Sequence, residues 1–253
     1  MSREPEPHGE STLDPFLGGQ LRFHQPKHGY RFSVDAPLLA GFVGVHPDDI
    51  AADLGAGCGV VGILLAHFHP FRRLVAVEVQ EELAGLARRN VELNGLAARI
   101  EVRRQDVKDF AAGEPSGSYD LVVSNPPFHP VGATRPSMHR QRAVARQEIL
   151  LQPVGLFAAA ARLLRPGGRM GLIHRPWRWP ELRRLMAAEG LQPVRVRHVL
   201  PREDEEPNLI LVEAVKGEYP ALSEPEPLVL FHRPGLYTAE ARALLKDGRP
   251  LSR

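Results

Sequence analysis

ADLGAGCGVVG, residues 52–62, joins a run that reads as a buried strand, IAADLG (50–55), to a short apolar helix, VVGILLAHF (60–68). Gly55, Gly57 and Gly59 let the backbone approach a ligand closely and turn sharply onto a helix N-terminus. RLVAVEV (73–79) is a second strand, and Glu78 stands at its end, 23 residues after Gly55. A carboxylate at that place accepts both hydroxyls of a ribose. Together these features predict an α/β fold around a nucleoside-bearing cofactor, rather than a glycine turn that only packs helix on strand.

On either side of this unit the alternation continues. QPKHGYRFSVDAPLLAGFV (25–43) is a structured lead-in ending in a short helix around 35–43. QEELAGLARRNVELNGL (80–96) is a helix with acids in its first turn and Asn-Gly past its end. RIEVRR (99–104) and YDLVVS (119–124) are the third and fourth strands. PVGLFAAAARLLRPGG (153–168) is a helix stopped by Pro-Gly-Gly, RMGLIHR (169–175) the fifth strand, and WPELRRLMAAEGL (179–191) a further helix. PVRVRHVL (193–200) and NLILVEAVK (208–216), joined by PREDEEP, read as an antiparallel hairpin. The expected architecture is a mostly parallel seven-stranded sheet with helices on both faces and this hairpin at its C-terminal side. Residues 1–20 are rich in Glu, Pro, Gly and Ser and are expected to be a disordered tail. The domain proper is expected over 21–217, with 218–253 as an extension that adds a strand and a short helix.

Composition narrows the class. The 253 residues are 43% hydrophobic and 25% charged, enough for one sizeable core. One cysteine, Cys58, excludes an internal disulfide and a cysteine metal cluster. No apolar run is long enough to span a membrane, and MSREPEPHGESTLDP lacks the apolar stretch of a signal peptide. A cytoplasmic protein without metal is the expectation, with monomer as the default for an oligomeric state that the sequence leaves open. His67 and His69, two apart with no carboxylate at matching spacing, are read as structural. Trp177 and Trp179, before a helix, are read as packing.

The glycine spacing bears on the cofactor. Dinucleotide loops usually run G-x-G-x-x-G, whereas here it is G-x-G-x-G after Asp53. S-adenosylmethionine has no phosphates to cradle, but it has an ammonium that an acid at the end of the first strand can pair with. Asp106, just past the third strand in RRQDVKDF (103–110), is placed to accept from an adenine amino group, with the Val107 amide donating to the ring. Asp106 also suits a helix cap.

SNPPFHP (124–130) follows the fourth strand and discards two backbone donors. Beside a sulfonium donor this corner makes chemical sense. The nitrogen of an exocyclic ring amine or an amide is a poor nucleophile, because its lone pair is delocalised. Asn125 Oδ1 and the Pro126 carbonyl can accept its two N–H groups, with Pro127 restricting the aim of that carbonyl. Phe128 offers a face for the planar group. The contribution is orientation for in-line attack, and no strong base is needed.

These residues resemble class I methyltransferases that act on planar nitrogens. QPKHGYRFSVDAPLLAGF, NPPF, ARQE (145–148), HRP (174–176), NLILVEAVKG (208–217) and EPLVLFHRPGLYTAEA (226–241) are similar to the bacterial valine-tRNA adenine-N6 methyltransferase family over roughly residues 20–245. The family often has ARHE where this chain has ARQE. The resemblance implies a Rossmann-like fold, S-adenosylmethionine as donor, and the adenine beside the anticodon of a valine tRNA as target. It also implies that the lead-in folds over the cofactor, with Tyr30, Arg31 and Asp35 as contacts.

Charge distribution supports a polyanionic partner. Residues 121–200 carry 13 arginines and three acids, whereas 1–120 carry 12 basic and 17 acidic side chains. Arg135, Arg140, Arg142 and Arg146 in the stretch after Phe128 are candidate phosphate contacts. Other readings stay open: a glutamine amide in a protein such as a release factor, ribosomal RNA adenine, a non-catalytic RNA-binding protein that retains the fold, and an NAD oxidoreductase. Glutamine methyltransferases usually carry a long helical N-terminal domain, and about 50 residues precede the first strand here. DNA enzymes commonly need a target-recognition domain, and the sequence shows none.

Overall fold

The computed structural model describes residues 11–27, 31–128, 153–217 and 221–251. Tyr30 and the arginines 135, 140, 142 and 146 lie outside the described residues. The chain opens with β1 (Ser11–Phe16) and β2 (Leu21–Pro26), then α1 (Asp35–Phe42). The alternating region follows: β3 (Ile50–Leu54), α2 (Val60–Phe68), β4 (Arg73–Glu78), α3 (Glu81–Leu93), β5 (Ile100–Arg104), α4 (Val107–Gly113) and β6 (Tyr119–Ser124). Next come α5 (Pro153–Leu163), β7 (Leu164–His174), α6 (Trp179–Ala188), β8 (Leu191–Leu200) and β9 (Leu209–Lys216). The C-terminal part holds β10 (Leu228–Val229), β11 (Phe231–Arg233), β12 (Leu236–Tyr237) and α7 (Ala239–Leu245).

The main sheet has the order β10-β8-β9-β7-β6-β3-β4-β5. From β7 to β5 all neighbours are parallel, and β9 lies antiparallel between β7 and β8. Alternate strand residues feed two cores. Ala51, Leu74, Leu121 and Val123 pack with α1, α2 and α3, whereas Ala52, Val75 and Val122 pack with α4, α5 and α6. Both faces are covered, so the inner strands are mostly apolar, with the polar exceptions Asp53, Glu78 and Ser124 near their carboxyl ends. β3 pairs with β4 on one side and β6 on the other, so chain order reverses at β3, and the carboxyl ends of β3 and β6 flank the crevice where open sheets bind ligands.

Three expectations need correction. The sheet has eight strands rather than seven, because Leu228–Val229 adds a short parallel edge to β8 at Val199 and Leu200. Two residues are too few to leave a period in the sequence. Residues 11–16 are not a tail. They pair with 21–26 from Ser11↔Pro26 to Phe16↔Leu21, and Phe16 and Phe23 pack edge-on with Phe32, at 5.7 and 5.2 Å respectively. Pro-Gly-Gly (166–168) is not the stop of α5. The helix ends at Leu163, Leu164 already pairs with Tyr119, and the register slips before Leu121 meets Arg169. The turn residues therefore form an irregularity within β7.

The β1–β2 hairpin is anchored by side-chain amides of α3. Asn90 accepts from the His24 amide at 2.6 Å and donates to the His24 carbonyl at 2.9 Å. Asn94, one turn on, does the same with Arg22 at 3.0 and 2.8 Å. Four residues of helix rise about 6 Å and two of strand about 6.8 Å, so the two amides match two alternate strand positions.

Candidate active site

The loop after β3 is tied down from both ends. The Gly55 and Ala56 amides both donate to the Val77 carbonyl at 2.9 Å. Gly57 and Gly59 have φ of +56° and +80°, a region costly for residues with a Cβ. A Cβ at Gly59 would meet that of Ala87 at 3.3 Å, so this position is closed by packing on α3. A Cβ at Gly57 would meet nothing within 4 Å, so this glycine borders open space. The Asn90 amide donates to the Cys58 carbonyl at 3.0 Å, joining loop, α3 and hairpin in one network.

That space is an open cleft lined by Gly55, Ala56, Gly57 and Cys58 of the loop and by Phe32, Ala36, Asp53, Val60, Val61, Val77, Glu78, Val79, Asp106, Val107, Asn125 and Pro127. Glu78 accepts from the Gly57 amide with Oε2 and from the Gln80 amide with Oε1, both at 2.9 Å. Each carboxylate oxygen keeps a lone-pair direction for a ribose hydroxyl. Burial raises the Glu78 pKa, against the pull of those amides. Asp53 is 1% exposed and accepts from the Gly62 amide at 3.2 Å in the first turn of α2. Burial raises its pKa to about 7, with the nearby Glu78 charge adding to the rise. An isolated buried carboxylate is costly, and a ligand ammonium would relieve it. Asp106 caps α4, its Oδ1 accepting from the Lys108 amide at 2.7 Å, while Oδ2 has no partner among the described residues. Cap and cleft-lining residue are thus one. The Cys58 thiol is pushed by burial to about 12 and stays protonated. These residues fit S-adenosylmethionine: an acid for the ammonium, an acid for the ribose, a cap for the adenine amine, and an open glycine between them.

The NPPF corner sits where β6 ends. Ser124 Oγ donates to the Leu54 carbonyl at 2.7 Å, clamping the ends of β6 and β3 together. Asn125 and Pro127 line the same cleft as Asp53 and Glu78, and Pro126 is buried beside them. Phe128 packs against His174 at 5.3 Å, and the Arg175 guanidinium lies 5.1 Å from the ring centroid. Arg175 is held there by the Asn208 carbonyl at 2.9 Å. His174 is buried, accepts at Nδ1 from the Arg175 amide at 2.7 Å, and has its pKa lowered to about 3 by burial and by Arg178 and Arg175. The imidazole is neutral near pH 7 and serves as a wall behind Phe128.

Phe32 and Ala36 line the cleft, whereas Arg31 turns to Asp14 and Thr12, at 2.6 Å each. Gln25 completes this clasp, donating to Asp14 at 2.9 Å and accepting from the Phe32 amide at 2.9 Å. Arg31 therefore positions Phe32 from behind, because the hairpin supplies the acid that attracts it. Asp35 opens α1 next to Phe32 and Ala36 without lining the cleft, and burial raises its pKa against the pull of Arg175. Sequence reasoning missed Phe32 and Arg175. Both lie in stretches read as a lead-in and as a strand, and neither belongs to a spacing with its own chemistry. It also took Trp177 for packing. Trp179 does pack on the core, but Trp177 is 61% exposed.

A glycine loop, two acids and an Asn-Pro-Pro-Phe corner at the switch point of such a sheet define a Rossmann-like class I methyltransferase that uses S-adenosylmethionine. Residues 35–179 match the family model described as methyltransferase small domain. A Tolumonas auensis protein named tRNA1(Val) (adenine(37)-N6)-methyltransferase is 30% identical over 233 residues, 92% of this chain and 95% of that protein. A Porphyromonas gingivalis protein of the same name is 32% identical over 189 residues, 72% of this chain and 73% of its own length. The crystal structure of a predicted O-methyltransferase from Agrobacterium tumefaciens superposes with a TM-score of 0.68 at 28% identity, covering 86% of this chain and 98% of that one. A geranyl diphosphate methyltransferase solved with its SAM shares the fold, at a TM-score of 0.52 and 16% identity over 71% of this chain and 82% of that one. The chain belongs to the methyltransferase small domain family and groups within it with the curated tRNA1(Val) methyltransferases.

Proposed function

We propose that this protein transfers a methyl group from S-adenosylmethionine to the exocyclic N6 of an adenine in RNA, and that the target is the adenine beside the anticodon of a valine tRNA. The observation that carries the reading is the placement of Asn125 and Pro127 in the same cleft as Asp53 and Glu78. The names of the relatives support the choice of acceptor.

Bound S-adenosylmethionine supplies an electrophilic methyl on a sulfonium. In this reading Asp53 receives the ammonium, Glu78 the ribose hydroxyls, and Asp106 and the Val107 amide the adenine edge, with Gly55 and Gly57 giving the backbone close approach and Gly59 seating the loop on α3. Asn125 Oδ1 and the Pro126 carbonyl accept the two N–H groups of the target amine, and Phe128 stacks on its ring. The proton leaves after transfer, when the nitrogen is acidic. An oxygen acceptor would need a base to ionise it first. Among the described residues, the titratable ones lining the cleft are Asp53, Cys58, Glu78 and Asp106, and this reading assigns the three acids to the cofactor, which favours nitrogen. The chain works as a cytoplasmic monomer without metal in this reading, and no helix among the described residues is long and apolar enough to cross a membrane.

The test is purified protein with methyl-labelled S-adenosylmethionine and unmodified total RNA, followed by nucleoside analysis. N6-methyladenosine in a valine tRNA supports the reading. Label in a protein fraction with RNA unlabelled would replace it with the glutamine amide.

A further inference from the structure

We propose that Trp177 is a stacking platform for a nucleobase flanking the target adenine, with Arg183 and Arg184 contacting phosphates of the same strand. The inference rests on the RNA reading above and adds a contact surface outside the cleft.

Four observations carry it. First, the wall behind Phe128 leads directly to Trp177. His174 packs on Phe128, Arg175 lies against its ring, and Pro176 and Trp177 follow in a short 3₁₀ turn before α6. Second, Trp177 is 61% exposed, and the other exposed large hydrophobics, Leu13, Val154 and Leu236, belong to other elements. Among the described residues the indole stands alone, which does not make an apolar protein-binding patch but suits a single base, whose π-face needs one partner. Third, the surroundings are basic. Arg178 lies 5.9 Å from the indole and is bidentate to Glu181 at 2.9 Å. Arg183 and Arg184 are exposed on α6 and have no ion pair among the described residues. Residues 175–184 therefore carry four arginines against one acid. Fourth, the geometry of the reaction asks for such a platform. An adenine reaching Asn125 must leave its stack, and its neighbours lose a stacking partner. An exposed aromatic face three residues along the chain from His174, which packs on Phe128, is placed to replace that partner.

The chain has two tryptophans, so Trp179→Phe leaves Trp177 as the sole emitter. With this variant, adding unmodified tRNA is expected to quench Trp177 emission. Trp177→Ala is expected to raise the KM for tRNA about tenfold or more while S-adenosylmethionine affinity stays unchanged. Trp177→Phe should recover most of that loss, because a phenyl ring still stacks. Arg183→Glu with Arg184→Glu should raise the same KM and flatten its salt dependence. If the wild type methylates tRNA but Trp177 emission does not move and Trp177→Ala keeps the wild-type KM, the platform is wrong and the function stands. If the wild type leaves RNA unmethylated and RNA leaves the emission unmoved, the RNA reading falls and the platform with it.

Discussion

Asn125 leaves β6 at the point where Ser124 is clamped to β3, so its amide is carried by two strands rather than by a free loop. Asn125→Ala is expected to lower kcat by about 100-fold or more, since loss of aim at the nitrogen removes the orientation term. Cofactor binding, followed by calorimetry, should be nearly unchanged. Loss of both together would mean that Asn125 holds the cofactor or the fold. Asp53 behaves differently because it is a buried acid with a pKa of about 7. The fold favours its protonated form, so its contribution to stability is full below the ordinary aspartate range and is lost as pH rises from about 4 to about 7. Asp53→Asn removes this dependence. The ligand-free variant should melt higher than the wild type above pH 7, by about 2–4 °C per kcal/mol recovered, and the gap should close toward pH 4. The ligand ammonium prefers the charged acid, so wild-type affinity for S-adenosylmethionine should weaken as pH falls below 7. The variant should bind weakly at every pH. A wild-type affinity flat between pH 6 and 8 would contradict this role.

At the scale of elements, α3 does more than cover the sheet. Its buried Asn90 holds β2 and the glycine loop at once, while Asn94 holds only β2, near the surface. Asn90→Ala leaves a buried amide and two carbonyls without partners, and about 2–3 kcal/mol of stability should go with them. The loop loosens too, so affinity for S-adenosylmethionine should drop. Asn94→Ala should cost about 1 kcal/mol or less, because water replaces the amide there, and should leave cofactor affinity alone. Denaturant unfolding and a cofactor titration of the two variants check the contrast. The hairpin was not legible in the sequence. STLDPF and LRFHQP carry prolines and polar residues, and their partner is a pair of side-chain amides more than 60 positions away. α2, α3 and β4 were legible, because their signals are local: an apolar run, acids in a first turn, a β-branched strand ending in Glu78.

For the whole molecule, the arginine block has two fates. Arg165 pairs with Asp120, Arg169 with Asp49, Arg195 with Glu213, and Arg197 with Glu240. Arg162 is spent on carbonyls at the end of α4. Much of the local excess of +10 is thus met by acids from outside residues 121–200 or by backbone, and it overstates the charge offered to a polyanion. Glu213 shows what these pairs do. It accepts from Arg195 at 2.8 Å and from the Gly44 amide at 3.1 Å, while Arg195 also donates to the Phe42 carbonyl and covers its ring. The pair fastens α1 to β8 and β9. Glu213→Gln should cost about 1–3 kcal/mol, by leaving a mostly buried guanidinium without its charge partner. The salt dependence of RNA binding should not change, because this charge faces inward. Urea unfolding beside a salt titration separates the two effects.

By itself the sequence determined the alternation of strands and helices from β3 to β9, the glycine loop with its acids, and the rigid Asn-Pro-Pro-Phe corner. Each depends on short-range physics: a period of two or 3.6, a glycine at positive φ, a proline that cannot donate. The expected parallel sheet already brings Asp53, Glu78, Asp106 and Asn125 to one edge, since parallel strands carry all their carboxyl ends there, and tertiary structure closed that edge into one cleft. It alone placed Phe32 rather than Arg31 in that cleft, chose which arginines are neutralised, added an eighth strand of two residues, and left Trp177 in solvent. Those outcomes turn on register and packing between segments far apart in the chain, and no local pattern carries that information.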